Sequence, residues 1–284
     1  MLRLTMLVCI ALIICLLPTE SRTYTVDDNG FADFNSIAKA VVAARDGDTI
    51  YIKPGVYSES FTINKSLNLM PLIGEKGDIV LNGNGKDNGV KITANGCSLE
   101  GLTVKNFNKS GIEVLSSSNI IKSCKFENDN PALLIENANQ NLISNNVMTD
   151  CRGGVALKYS SKENTITKNE IDGGLVSIYL EEVNNNSVLN NYLTGASIGV
   201  LLANSSSLDV AKNDIRCKTF GIWVTNSSIG NLTDNVAVRS SWGIYLMNTT
   251  GMELNNNSVK DVESGITLES SNENAIIGCQ VSNS

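Results

Sequence analysis

The chain has no histidine in its 284 residues. That absence removes imidazole metal sites, the Ser/His/Asp and Cys/His nucleophile systems, and the commonest general base. Basic residues are also scarce: 22 Lys and Arg stand against 29 Asp and Glu, a net charge of −7, and the cations are scattered. Nucleic-acid binding draws on a clustered cationic surface that releases counterions, so that class of partner is excluded. Cysteine lacks paired spacing. The five outside the N-terminal apolar run, Cys97, Cys124, Cys151, Cys217 and Cys279, are an odd number and share no column on neighbouring repeats, which reads as buried free thiols and not as a disulfide framework. Past the N-terminal run, no apolar stretch approaches the roughly 20 residues that span a bilayer.

What the chain has is a repeat. From residue 89 onward, units open on a small residue at Gly89, Gly111, Ala132, Gly154, Ser177, Gly199, Gly221, Gly243 and Gly265, with steps of 22, 21, 22, 23, 22, 22, 22 and 22. The next position is always aliphatic (Val90, Ile112, Leu133, Val155, Ile178, Val200, Ile222, Ile244, Ile266), and so is the position two further on (Ile92, Val114, Ile135 through Leu268). Period two over three residues is a short strand with one face inward. A second apolar pair lies about ten residues into each unit and a third near position sixteen, so three strands fill each turn and leave no room for a helix.

A polar column introduces the third strand: Cys124, Asn145, Asn169, Asn191, Asn213, Asn235, Asn257 and Cys279. Asn tolerates left-handed backbone, and its amide can donate to one rung while accepting from another. A stacked Asn ladder at one bend follows, and it accounts for the use of Asn 37 times.

A 22-residue coil with β-branched inward columns and an Asn ladder resembles the right-handed parallel β-helix proteins of the pectin-lyase-like superfamily. The implied fold class is all-β: a single-stranded right-handed parallel β-helix solenoid of about eleven coils, with an N-terminal capping helix. Residues 1–21 read as a signal peptide: Arg3, an apolar run from Leu4 to Leu17, then small residues at Thr19 and Ser21. Residues 22–88 read as the cap and first coils. Within them Tyr24–Val26 is a strand, Asp27–Gly30 a turn, and Phe34–Ala44 an amphipathic helix capped by Asp33. Residues 89–284 are the repeats, which stop partway through a unit and read as incomplete at the C-terminus. That open end would suit an envelope-protein partner.

The cap order resembles the start of NosD-type periplasmic proteins and of pectin methylesterases. Gly55-Val56-Tyr57-Ser58-Glu59 is shared with the methylesterases, but their Gln-Asp-Thr-Leu and Asp-Phe-Ile-Phe-Gly stretches have no counterpart, so that activity is not carried over. The NosD resemblance implies copper handling, for which this chain supplies neither histidine nor a Met-rich or paired-Cys cluster. Eight Asn-x-Ser/Thr sequons, from Asn64 to Asn256, follow from composition alone.

Two sets of residues stand out as candidate sites. Tyr179, Leu201, Trp223 and Tyr245 fall on the outward position of four consecutive first strands. Such a stripe would stack on successive sugar rings, with Tyr179, Trp223 and Tyr245 as ligand-binding residues, or would serve only to stabilise the sheet. Near position eighteen, Asp150 and Asp172 fall on adjacent rungs with Arg152 close by. Two close carboxylates would bind Ca²⁺ or raise one another's pKa for acid catalysis, although Asp in Gly-flanked turns also serves turn geometry alone. No other cofactor or metal is expected. Phe220 and Trp242, just before their opening glycines, are expected to fill the core at a corner, and Arg239 to pair with Asp261.

The expected role is an exported, extracellular, cell-surface or periplasmic non-enzymatic β-helix, NosD-like, presenting a rigid face to polysaccharide or cell-surface glycan. The alternatives are a polysaccharide lyase or glycoside hydrolase working through Asp150 and Asp172, and a structural cell-envelope component.

Overall fold

The computed structural model describes residues 20–283. The expected signal peptide therefore lies, apart from its last two residues, outside the described residues. The chain winds as a right-handed parallel β-solenoid of about 12 turns, one more than the repeat count suggested. Three parallel sheets run its length. Sheet 1 has ten strands, from Phe61–Ile63 to Ser264–Glu269. Sheet 2 has twelve, from Thr23–Val26 to Ala275–Ile277. Sheet 3 has eleven, from Gly55–Tyr57 to Gln280–Ser282. The inward aliphatic columns are buried, including Ile112, Ile178, Val200, Ile222 and Ile244 at 0% exposure. On the last rung the same inward columns are partly exposed, at Leu268, Ile276 and Val281.

The small opening residue is a packing requirement. A Cβ on Gly221 would lie 2.5 Å from the Gly243 carbonyl oxygen and 2.8 Å from the Ala237 Cβ. At this rung sheet 3 closes so tightly on the start of sheet 1 that no side chain fits, while Ala132 and Ser177 are accommodated, fully buried, at the same position of other rungs.

The Asn ladder at the bend between sheets 2 and 3 is present, with one correction. Asn146, not Asn145, is its member: Asn146 Oδ1 accepts from the Cys124 backbone N–H at 2.9 Å. Asn145 is the residue before it, with φ +55°, in a left-handed column shared with Lys168, Asn190, Lys212 and Asp234. Left-handed backbone and laddering are thus divided between two neighbouring positions. In the ladder, Asn213 Oδ1 accepts from the Asn191 N–H and Nδ2 (2.9 and 3.0 Å), while Asn213 Nδ2 donates to Val188 O and Asn235 Oδ1 (both 2.9 Å). Every polar atom of the buried side chain is satisfied.

A second ladder, unexpected from the sequence, occupies the bend between sheets 1 and 2: Asn119, Asn141, Asn164 and Asn186, beginning at the Cys97 N–H. Where Leu208 and Gly230 replace Asn in that column, serines three residues earlier support the bend: Ser205 Oγ accepts from the Val183 N–H at 3.2 Å, and Ser227 Oγ from the Ser205 N–H at 3.1 Å. The backbone there pairs as a longer strand, Ser206–Ala211 and Ser228–Thr233.

The helix α1 spans Ile37–Ala43, shorter than expected, and lays Ile37, Ala40 and Val41 over the first coil. Its N-cap is Ser36, not Asp33, whose carboxylate instead accepts from Thr25 N–H and Oγ1. Glu59 completes the cap, accepting from Ile37 N–H (2.7 Å), Ala38 N–H (3.2 Å) and Ser36 Oγ (2.6 Å). At the other end Lys65 Nζ donates to the carbonyls of Val41, Val42 and Ala44 at 2.6 to 2.8 Å. Anion at the N-terminus and cation at the C-terminus both complement the helix dipole. The methylesterase-like Gly55–Glu59 stretch therefore fastens the cap: Glu59 holds the helix, and Tyr57 OH donates to Lys53 O.

The five cysteines among the described residues are free and, save for part-exposed Cys279, buried. Among the described residues no helix is long and apolar enough to cross a membrane.

Candidate functional site

Among the described residues, the third corner, where sheet 3 turns back into sheet 1, has no buried Asn ladder; a short, partly exposed one spans only its first rungs, where Asn128 Nδ2 donates to Asn106 Oδ1 and Asn106 Nδ2 to Asn82 Oδ1, both at 3.0 Å. Its buried column reads Phe107, Asp129, Cys151, then Ala196 and Cys217. A groove of about 580 Å³ opens there, lined by Asn106, Asn128, Asp129, Asp150 and Arg152 among others. It runs through Asn130 and Arg152 into a second, more apolar depression of about 300 Å³ on the outer face of sheet 1, walled by Leu134, Ala156, Val176, Lys158 and Tyr179.

The three aspartates of this corner hold successive positions in the turn, one on each rung. Asp172 is the last strand residue, paired with Thr149 and Thr194, and its Oδ1 accepts from Thr194 Oγ1 at 2.7 Å. Asp150 is the left-handed residue that follows the strand, with φ +55°, exposed in the groove. Asp129 is one residue further in, and 2% exposed. The structure therefore brings Asp150 and Arg152 together with Asp129, while Asp172 turns toward the next rung. Among the described residues, no three acidic or cysteine side chains converge as a metal site would require.

Asp129 carries the unusual chemistry of the corner. Its Oδ1 accepts from the Phe107 N–H at 2.8 Å, as a ladder Asn would. Its Oδ2 is buried without a hydrogen-bond partner among the described residues. Burial pushes its pKa up to about 8, against the opposing effect of the Phe107 hydrogen bond. It holds its proton near neutral pH.

On sheet 1, Tyr179, Leu201, Trp223 and Tyr245 do stack on successive rungs in register, facing outward. Phe220 and Trp242 do not fill the core. They face outward as a second file beside the first, because alternation slips at the glycine: Gly221 and Ile222, like Gly243 and Ile244, are buried in succession, which leaves the residue before them outside. Trp242 is 36% exposed. Phe220 stacks on Trp242 (centroids 4.9 Å apart) and on Trp223 (4.8 Å), and Tyr245 closes the cluster at 5.6 Å from Phe220. Tyr179 lies apart, under Lys158 Nζ at 5.2 Å from its ring centre. Its hydroxyl pKa is raised by burial and then by the Glu181 carboxylate. Tyr245 donates its hydroxyl to Glu269. The expected Arg239–Asp261 pair does not form among the described residues; Asp261 accepts from Asn283 Nδ2 at 2.9 Å instead.

These features define a right-handed β-solenoid whose corner groove and ringed outer sheet face adjoin. The chain belongs to the family described as right handed beta helix region, which matches residues 88–238 and 177–284. A search of curated proteins finds no match. Among solved structures the chain is similar to a rhamnogalacturonan lyase, with TM-score 0.71 and 12% identity over 92% of this chain and 87% of that one. It is similar also to the DFA-IIIase of Arthrobacter chlorophenolicus in complex with DFA-III (TM-score 0.67, 13% identity, 89% and 94% covered). A third similar structure is the A-module of a mannuronan C-5 epimerase from Azotobacter vinelandii (TM-score 0.59, 14% identity, 86% and 93% covered). At these identities the likeness is one of fold.

Proposed function

We propose that the protein is an exported, non-enzymatic β-helix, NosD-like in organisation, that binds carbohydrate along the outer face of sheet 1. The observation that carries this reading is the four-ring cluster of Phe220, Trp223, Trp242 and Tyr245. All four rings stand on the outside of a sheet whose inward columns are aliphatic. Ring faces pack against the apolar C–H faces of sugars, and an aromatic file along a solenoid repeats at the spacing of its rungs. The similar structures named for polysaccharide chemistry support the ligand class.

Affinity electrophoresis through polysaccharide gels tests this. The wild type is expected to be retarded and Trp223→Ala/Tyr245→Ala to run freely; equal retardation of both would overturn the reading. Export rests on residues 1–21. Protein recovered from the medium or envelope is expected to begin at Arg22, with 22–88 as cap and 89–284 as repeats, and an intact leader would contradict it.

Asp129 favours a second reading. A carboxyl still protonated near neutral pH, beside Asp150 and Arg152, suits a polysaccharide lyase or hydrolase acting in the corner groove. Release of reducing or unsaturated ends by the wild type, lost in Asp150→Asn, would establish cleavage. A wild type that binds without cleaving would leave binding alone.

A further inference from the structure

Resting on the carbohydrate-binding reading above, we infer that the ligand is an uncharged polysaccharide, free of carboxylate and sulfate groups, lying along the solenoid axis. The direction follows from register. Leu134, Ala156, Tyr179, Leu201, Trp223 and Tyr245 are consecutive partners across six strands. Five steps between rungs make an apolar track about 24 Å long. Val176, Ile198, Phe220 and Trp242 form a shorter parallel file at its corner side.

The charge class follows from what borders the track. The strands of sheet 1 project only two cations outward, and both are neutralised: Lys91 pairs with Glu113 at 3.1 Å, and Lys158 with Glu181 at 3.4 Å. Glu136 and Glu269 stand in the same outward column as the Lys158–Glu181 pair, beside the track, and leave that column with an excess of negative charge. At the adjoining corner, Arg152, Lys218 and Arg239 are offset by Asp150, Asp172, Asp261 and Glu263. A polyuronate would set a carboxylate on every ring against this excess of negative charge, over an apolar surface that screens it poorly. Hydroxyl groups on an uncharged chain would instead donate to those same glutamates, as charge-assisted hydrogen bonds.

The test is retardation in parallel gels containing uncharged polysaccharides (β-glucan, xylan, galactomannan) and polyuronates (polygalacturonate, alginate), each at low and high salt. The expected result is at least about tenfold tighter retention by one of the uncharged polymers than by either polyuronate at low salt. That gap should narrow at high salt, where repulsion is screened, and in Glu136→Gln/Glu181→Gln/Glu269→Gln. Tighter retention by a polyuronate at low salt, or a preference indifferent to salt, would overturn the charge inference while leaving carbohydrate binding standing. Free migration in every gel would overturn the carbohydrate reading itself.

Discussion

The bend between sheets 2 and 3 and the corner between sheets 3 and 1 are built from the same coils, yet they differ in one respect. At the bend, Asn follows Asn from Asn146 to Asn257, and each ladder amide has partners above, below and on the backbone. At the corner the buried column changes identity from rung to rung, and Asp129 makes half of a ladder contact and leaves an oxygen unpartnered. The bend is saturated, every ladder amide being buried and bonded. The corner holds the groove. In a solenoid, uniform columns report stacking, and the place where a column loses its uniformity is where the surface acquires shape and titratable chemistry.

Substitutions should separate the two regions. Asn213→Ala strips four buried hydrogen bonds and leaves their partners unsatisfied, so urea unfolding should show a loss of about 5 kcal/mol. A loss under about 1 kcal/mol would mean the ladder is not what holds the coil.

Asp129→Asn should do the reverse. Its carboxyl has a folded pKa of about 8, above its ordinary value of 3.8, so the folded state keeps a proton that the unfolded state gives up. This group therefore favours folding fully below about pH 4. Its contribution declines by about 1.4 kcal/mol per pH unit up to about pH 8 and is level above that. Asparagine has no such slope. The variant should gain on the wild type as pH rises through that window, and a parallel pH profile for the two proteins would refute the assignment.

Glu59→Ala should cost about 1 to 2 kcal/mol and selectively raise amide exchange in α1, because it uncaps the helix. Smallest is Trp242→Ala, at about 1 kcal/mol of stacking. A cost comparable to Asn213→Ala would make the ring cluster structural and end the comparison.

The fold was legible because the inward columns recur nine times, enough to absorb local irregularity. The ladder register is ambiguous by one residue at Asn145-Asn146, where both residues are Asn: the steps from Cys124 to Asn169 are 21 and 24 through Asn145 and 22 and 23 through Asn146, the true member. The second ladder had a signal, Asn119, Asn141, Asn164 and Asn186 at steps of 22, 23 and 22, but it lapses at Leu208 and so lacks the length of the first. Asp129, Asp150 and Asp172 look like one column because their steps are 21 and 22. The strands pair Glu127, Thr149 and Asp172, steps of 22 and 23, which puts the three aspartates at three different depths. Phe220 and Trp242 read as core residues when alternation is counted through the glycine, and that count fails because Gly221 and Gly243 are buried along with the residues that follow them. The Tyr179, Trp223 and Tyr245 file was readable because it sits inside the regular part of the strand.

Trp223 and Trp242 are the only tryptophans in the chain, and both lie in the ring cluster. Their fluorescence is therefore a native probe of the proposed binding face, with no substitution needed. Titration with an uncharged polysaccharide that retards the protein should give a saturable change in tryptophan emission whose midpoint matches the affinity from the gel. Retardation with no change in emission would place the ligand elsewhere and contradict the account.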